Sequence, residues 1–178
     1  MRLLIYGFGP YGQFRNNVTE KIVRQLPRRR GLKKIVFPVR FNRNQFLRII
    51  KNVRPDVILG LGQCSRGQRL RIEAQAANKR RAHQNVAARP IRVGGAPRLR
   101  TNLELALGRH GRNSQRAGEY VCNYSMYVIL DFLKRRQLPV HFGFIHVPHK
   151  YDDKKAIQIL AKAIGKIQSA SQKRPPRL

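Results

Sequence analysis

The chain has 178 residues, of which 42% are hydrophobic, so it can bury one sizeable core. No apolar run approaches the roughly 18 residues that a transmembrane helix needs, and the apolar opening at residues 3–6 is too short for a signal peptide. Cys64 and Cys122 do not make a disulfide framework. These features argue against a membrane protein or a disulfide scaffold, and they predict a protein of a reducing, cytoplasmic compartment.

The charge of the chain is strongly unbalanced. Lys and Arg number 38 against 8 Asp and Glu, which gives a formal net charge of +30. Repulsion at this level disfavours a compact free protein, and contacts with phosphates would relieve it through counterion release. The basic residues form separate groups along the chain, which favours a protein enclosed by RNA over a reader of one groove. The predicted RNA-binding residues are Arg28, Arg29, Arg30, Lys33, Lys34, Lys79, Arg80, Arg81, Arg98, Arg100, Lys134, Arg135, Arg136, Lys173, Arg174 and Arg177.

This distribution predicts an RNA-associated protein, specifically a ribosomal or ribosome-associated component whose partners are rRNA and neighbouring ribosomal proteins. Two alternatives explain the same composition. One is a soluble basic enzyme with solvated cationic faces, and the other is an engineered, supercharged exterior.

Strands and helices alternate through the first third of the chain. Apolar runs predict strands at residues 3–6, 35–37 and 57–59, and apolar residues at helical spacing predict helices at 17–26 and 44–53. This order is typical of a mostly parallel sheet covered by helices on both faces. Because functional loops in such sheets follow the carboxyl ends of the strands, we expect residues 7–14 and 60–65 to contribute to a site.

Residues 7–12 satisfy the G-x-G-x-x-G pattern of dinucleotide-binding loops. That chemistry needs a helix opening on the last glycine and an acidic residue after the second strand. Here Pro10 interrupts the motif, the first helix begins only near Asn17, and Arg40 follows the second strand. The pattern therefore favours a tight, aromatic-bearing turn over a nucleotide site.

The second half of the chain is less regular. Residues 70–74 alternate in polarity as a half-buried strand does, and Glu73 is interpreted either as functional or as a surface ion pair with Arg69 or Arg71. The remaining predictions are an irregular stretch at 78–100, a short helix at 103–107, a loop at 109–113, a strand at 140–148 and a final helix opening at 152–153. We expect one domain at 1–168 and a basic tail at 169–178.

Cys122 lies at the start of an apolar helical run at residues 121–133. The unpaired N–H groups and the positive dipole end of a helix start favour a thiolate, which is the nucleophilic form; a small buried cysteine is the alternative. His146 ends the predicted strand at 140–148, at an edge where functional residues collect. Neither a metal site nor a cofactor is predicted, because the other histidines lack ligand spacing; they are His83, His110, His141 and His149.

Five motifs together resemble the pyroglutamyl peptidase I family, the pyrrolidone-carboxylate cysteine peptidases. They are Gly-Glu-Tyr-Val-Cys122-Asn-Tyr-Ser-Met-Tyr, Gly-Phe-Ile-His146-Val-Pro, Arg-Ile-Glu73-Ala-Gln-Ala-Ala-Asn78, the turn at residues 6–12 and Gly60-Leu61-Gly62-Gln63. The resemblance implies a three-layer α/β/α fold. It also implies Cys122 as the nucleophile, His146 as its general base and Glu73 as the residue that orients the histidine, with Phe8, Tyr11 and Gln63 around the pyroglutamyl ring.

The surroundings of these residues depart from the family pattern. Ala74 stands where the family usually has arginine after the glutamate, and a basic stretch at 79–92 stands in place of the family's Arg-x-Pro-Asp-Asn-x-Gly segment. Together with the charge, these departures favour an RNA-associated component built on the peptidase fold as the main function. The alternative is an active pyroglutamyl peptidase, a cysteine exopeptidase whose partner is a peptide with an N-terminal pyroglutamate.

Overall fold

A computed structural model describes residues 1–12, 14–83 and 85–172 of the chain. Its elements in chain order are β1 (Leu3–Phe8), α1 (Val18–Gln25), β2 (Leu32–Phe37), α2 (Arg43–Val53), β3 (Val57–Cys64), β4 (Leu70–Glu73), β5 (Gln75–Ala77), β6 (Arg98–Arg100), a 3₁₀ turn (Gly108–His110), β7 (Gly111–Ser114), α3 (Val121–Arg135), β8 (His141–Pro148) and α4 (Asp153–Gln172). Among the described residues, no helix has the length and apolar character to cross a bilayer.

The centre of the molecule is a six-stranded sheet with the order β2-β1-β3-β8-β4-β7. Strands β2, β1, β3 and β8 run parallel, whereas β4 lies antiparallel to β8 and parallel to its edge neighbour β7. The parallel strands bury both of their faces, which explains their nearly continuous apolar sequences. The predicted three-layer α/β/α fold is confirmed.

Helices cover both faces of the sheet. On one face, α2 and α3 bury Phe46 and Tyr127 against aromatic side chains of β1 and β8. On the other face, α1 and α4 bury Ile22 and Leu160 against aliphatic side chains of β1 and β3. This arrangement leaves the carboxyl ends of β1, β3 and β8 at one edge of the sheet, where the predicted site residues collect.

The first helix begins where its sequence predicts. The side chain of Asn17 accepts a hydrogen bond from Thr19 N, which caps α1. Glu20 bonds Arg24 one turn along the helix, so it does not complete a capping box with Asn17. Because α1 starts six residues after Gly12, the glycine-rich turn does not open a helix, as the prediction against a nucleotide site requires.

Several predicted boundaries were wrong. Residues 60–65 were expected as a loop, but β3 continues through Cys64 because Gly60 and Gly62 leave room for neighbouring rings without breaking the strand. The predicted helix at 103–107 has no regular structure, and the whole of the predicted loop at 109–113 belongs to the 3₁₀ turn and β7. Helix α4 extends to Gln172, four residues into the predicted tail, and residues 173–178 lie outside the described part of the chain.

A two-stranded ribbon of β5 and β6 lies against α3, apart from the main sheet. Its register pairs Gln75 with Arg100 and Ala77 with Arg98. The inward-facing residues between them, Ala76 and Leu99, are buried. Alternation along the strands therefore directs Gln75, Ala77, Arg98 and Arg100 to the opposite, outer face of the ribbon.

Candidate active site

Glu73 and His146 form a buried hydrogen-bonded pair. Glu73 ends β4, His146 lies near the end of β8, and their Oε1 and Nδ1 atoms are 2.7 Å apart. Glu73 is fully buried and His146 is 3% exposed. The surface ion-pair interpretation of Glu73 is therefore wrong, because the antiparallel pairing of β4 with β8 buries this carboxylate against His146.

The environment of Glu73 and His146 favours one protonation state for each of them. Burial by itself would raise the pKa of Glu73, but the hydrogen bond with His146 and nearby positive charge hold that pKa below its usual range. Burial lowers the pKa of His146, and this effect outweighs the opposing influence of Glu73. The carboxylate is thus ionised and the imidazole neutral, so Nδ1 donates to Glu73 and Nε2 is left as an acceptor.

Cys122 lies one strand away from His146. Its Sγ atom occupies the space above Gly62, where an added Cβ would approach within 2.6 Å. Gly62 of β3 is the register partner of His146 on β8, and neighbouring strands are about 4.8 Å apart. Across the described residues, no hydrogen bond joins the thiol to His146 in the free protein, although the register places the two groups on neighbouring strands.

The free protein holds Cys122 as a thiol. Burial, with smaller contributions from the nearby Cys64 and Glu73, raises the pKa of Cys122 to about 12. The prediction that the helix start favours a thiolate was therefore wrong for the free protein, although Cys122 does occupy the second position of α3. Desolvation of the sulfur outweighs the helix dipole at this site.

Arg71 supplies positive charge to the same site. It is the cross-strand partner of His146, and its Nε lies 3.4 Å from Glu73 Oε1. Its charge adds to the effect of His146 that holds the pKa of Glu73 down, and it opposes the larger effect of burial that raises the pKa of Cys122. The alternation along β4 puts Arg71 and Glu73 on one face of the strand, and this pattern could have predicted Arg71 as a residue of the site. From the sequence alone, Arg71 was interpreted only as a partner of Glu73 in a surface ion pair.

The residues expected around a substrate ring lie at the ends of β1 and β3. The backbone N–H of Val18 donates to Gln63 Oε1 at 2.9 Å, and Gln63 Nε2 is buried without a hydrogen-bond partner among the described residues. Tyr11 stacks on Phe14 with ring centroids 5.1 Å apart. Phe8 is 2% exposed and packs on Tyr6 in the core, so it can form only the floor of a pocket.

The predicted RNA-binding residues do not form one surface, and several are occupied within the fold. Lys34 donates to the backbone oxygens of Arg24 and Leu26, and Arg81 pairs with Glu119 at 2.7 Å. The group at 28–30 is exposed in the connection between α1 and β2, and the group at 134–136 is exposed at the end of α3. Lys173, Arg174 and Arg177 lie outside the described residues.

Comparisons with known proteins match nearly the whole chain. The family model for pyroglutamyl peptidase, peptidase C15, matches residues 1–162. A pyrrolidone-carboxylate peptidase of Staphylococcus saprophyticus is 32% identical over 168 residues, which cover 83% of this chain and 78% of that protein. Pyrrolidone-carboxylate peptidase 2 of Caldanaerobacter subterraneus is 29% identical, covering 84% of this chain and 82% of that protein.

Comparison with solved structures gives a match of the same kind. A pyrrolidone carboxyl peptidase from Thermococcus litoralis superposes with a TM-score of 0.84 and 22% sequence identity, covering 99% of both chains. The likeness extends over all layers of the sandwich, including the elements that carry Cys122, His146 and Glu73.

The prediction of an RNA-associated or ribosomal protein was wrong. The match over residues 1–162 and the named relatives all point to a peptidase, and nothing in them supports RNA or ribosomal partners. Net charge misled the prediction because it is a sum that ignores where the charges lie and which of them the fold already uses. The alternative has the better support, and the chain belongs to the pyroglutamyl peptidase family.

Proposed function

We propose that this chain is a working cysteine exopeptidase that removes an N-terminal pyroglutamyl residue from peptides. Cys122 would be the nucleophile, His146 the general base and Glu73 the orienting carboxylate. The observation that carries the proposal is the buried 2.7 Å hydrogen bond between Glu73 and His146, one strand from the thiol of Cys122. An oriented imidazole beside a thiol is the arrangement that activates a cysteine nucleophile.

The resting charge states favour a general-base route. Nε2 of the neutral His146 accepts the thiol proton as sulfur attacks the carbonyl carbon of the pyroglutamyl residue, and the Glu73 carboxylate stabilises the imidazolium. The proton passes to the leaving amine as the C–N bond breaks, which leaves a thioester on Cys122. Water then gives a proton to His146 and attacks the thioester, releasing pyroglutamate and restoring the thiol.

The start of α3 can stabilise the negative oxygen that develops during attack. Tyr120 is the N-cap residue of α3, and no side chain caps the backbone N–H groups of the first turn. N–H groups that point at a developing oxyanion typically contribute about 2.7–4 kcal/mol to lowering the barrier. Cys122 lies in this turn, so the nucleophile and these donors are on the same element.

Recognition of the ring would depend on the residues at the ends of β1 and β3. Because Val18 N occupies Gln63 Oε1, the carboxamide presents its unpaired Nε2 as a donor for a lactam or peptide oxygen. Tyr11 offers an aromatic side wall and Phe8 a buried floor. These three side chains are uncharged, so they suit a small, neutral lactam better than a charged N-terminus.

The test is hydrolysis of pyroglutamyl-aminomethylcoumarin by the purified protein under reducing conditions. We expect fluorescent product from the wild type and a loss of at least about a thousandfold in kcat for Cys122→Ala. Cys64→Ala is the matched control because Cys64 is also a partly buried free cysteine at the same edge of the sheet, and it should retain turnover. Absence of turnover by the wild type would overturn the proposed function.

A further inference from the structure

We infer that a cationic cavity beside the nucleophile binds the leaving part of the peptide, and that the preferred substrates carry acidic residues a few positions after the pyroglutamyl residue. This inference rests on the proposed function, since it assigns the substrate class of the same site. The cavity has a volume of about 950 Å³ and lies between the β5–β6 ribbon and the segment that leads into α3.

Positive charge dominates the cavity wall. Lys79, Arg98, Arg100 and Arg116 line it, and all four are exposed. The acidic residue in the wall, Glu119, is already paired with Arg81 at 2.7 Å. The wall therefore carries an excess of cations, for which carboxylates are the complementary ligands.

The fold explains why these cations converge. Arg98 and Arg100 are two residues apart on β6, so both project from the outer face of the ribbon. Their register partners Ala77 and Gln75 line the same cavity with short or neutral side chains. The inner face of the ribbon is buried against α3, which holds the two arginines at a set position relative to that helix.

The cavity adjoins the nucleophile. Asn123 lines it, and Cys122 is the preceding residue, so their Cα atoms are about 3.8 Å apart. The Asn123 side chain hydrogen-bonds Ala77 N at 2.8 Å and Ala77 O at 2.9 Å, which joins the first turn of α3 to the ribbon. One short peptide segment can therefore reach from the thiol to the cationic wall.

The order of the strands sets the direction of such a peptide. The ring-binding candidates Tyr11 and Gln63 follow or end β1 and β3, and His146 is on β8. The ribbon follows β4, on the far side of β8. A peptide whose ring lies near Gln63 and whose scissile carbonyl lies at Cys122 would continue toward β4 and the ribbon, covering about 3.3 Å per extended residue.

The experiment compares two isosteric peptides, pGlu-Ala-Asp-Glu-Asp and pGlu-Ala-Asn-Gln-Asn, by release of the new N-terminal amine. We expect kcat/KM to be about tenfold higher for the acidic peptide at low ionic strength, the size of a few exposed ion pairs. The ratio should approach one in about 1 M NaCl, where the Debye length is about 3 Å. Equal kcat/KM values at low salt would overturn the inference.

A pair of matched variants locates the effect. The double variant Arg98→Gln/Arg100→Gln should lose the preference for the acidic peptide. Arg48→Gln/Lys51→Gln removes the same charge from the solvent side of α2 and should retain the preference. A preference that falls equally in both variants would indicate attraction by the whole cationic molecule and would overturn the assignment to this cavity.

Binding to Cys122→Ala separates this inference from the proposed function. Each peptide, labelled at its carboxyl end, is titrated with this variant and its Kd is read from fluorescence anisotropy. A lower Kd for the acidic peptide, lost with Arg98→Gln/Arg100→Gln, supports the cavity whether or not the wild type hydrolyses the coumarin substrate. If the wild type hydrolyses the coumarin substrate but the two peptides bind Cys122→Ala with the same Kd, the proposed function is supported and the preference for acidic peptides is contradicted.

Discussion

At the scale of single residues, burial determines the protonation states of the candidate triad before substrate binds. Cys122 is a neutral thiol with a pKa raised to about 12, mainly by burial. Burial also lowers the pKa of His146, while its partner Glu73 stays ionised. A neutral imidazole next to a neutral thiol can act only by taking the proton during attack, so activity should depend on keeping His146 unprotonated.

Arg71 should control the acid limit of activity. Beyond the larger effect of burial, its charge lowers the pKa of His146. Arg71→Gln removes that influence, so the pKa of His146 rises and the imidazole becomes protonated at a higher pH as the solution is acidified. We expect the acid limb of the kcat/KM profile to move to higher pH, which a pH series with the coumarin substrate measures.

Arg71→Lys is the matched variant because it keeps the positive charge. Its acid limb should return toward that of the wild type, whereas a merely structural role for Arg71 would lower kcat in both variants without moving the limb. An acid limb of the kcat/KM profile that stays unchanged in Arg71→Gln would contradict this electrostatic role of Arg71.

We expect Gly62 to tolerate no larger residue, because the thiol of Cys122 occupies the space that a side chain at position 62 would need. A Cβ there would lie 2.6 Å from Cys122 Sγ and 2.8 Å from Phe144 Cζ. We expect Gly62→Ala to lower the free energy of unfolding by about 1–3 kcal/mol and to displace the nucleophile, measured by urea denaturation and by kcat. Gly165→Ala in α4 is the control, since its nearest contact is the flexible Arg29 at 3.5 Å, and it should be neutral or slightly stabilising.

At the scale of elements, the site depends on how α3 is held between the sheet and the ribbon. One side of the helix start presents Cys122 to Gly62 of β3. The next residue, Asn123, is fully buried and bonds the ribbon on the other side. The same turn of helix therefore sets the position of the nucleophile relative to His146 and relative to the cationic cavity.

Removing the Asn123 carboxamide should weaken this junction. Its side chain makes hydrogen bonds of 2.8 and 2.9 Å with Ala77 and 2.8 Å with Lys79 O. Asn123→Ala leaves these partly buried backbone groups without their side-chain partner, and we expect the free energy of unfolding to fall by about 2–4 kcal/mol. Asn113→Ala on exposed β7 is the control and should change stability by less than about 0.5 kcal/mol. Equal effects of the two substitutions in urea denaturation would contradict the proposed role of the junction.

At the scale of the whole molecule, the dominant feature is the net charge of +30. Cations outnumber anions on every layer, and few ion pairs offset them; examples are Arg92 with Asp131 at 3.0 Å and Arg24 with Glu20 at 2.8 Å. Long-range repulsion therefore opposes folding and is relieved by dissolved ions.

Salt should accordingly stabilise the free protein. Raising NaCl from about 0.05 M to about 0.5 M shortens the Debye length several-fold. We expect a gain on the order of 1 kcal/mol, or about 2–4 °C in Tm for a chain of this size, measured by thermal unfolding. A Tm that is unchanged or lower in high salt would show that repulsion between like charges does not limit stability.

The alternation of strands and helices could be predicted from the sequence alone, because apolar periodicity is a local property. The same is true of the helix starting at Val121, the start of the first helix near Asn17 and the candidate roles of Cys122, His146 and Glu73, which depend on short motifs. Element ends were less certain: Gly60 and Gly62 suggested a loop, but their backbones are extended and make space for neighbouring rings.

Protonation states and the pairing of side chains were decided by tertiary structure. Only the antiparallel placement of β4 beside β8 buries Glu73 against His146 and brings Arg71 into the site. Only the packing of α3 on β3 desolvates Cys122 enough to raise its pKa. The sum of charges suggested RNA because composition records how many cations the chain has. Their positions, including the convergence of Arg98 and Arg100 beside the nucleophile, depend on contacts between residues far apart in the chain.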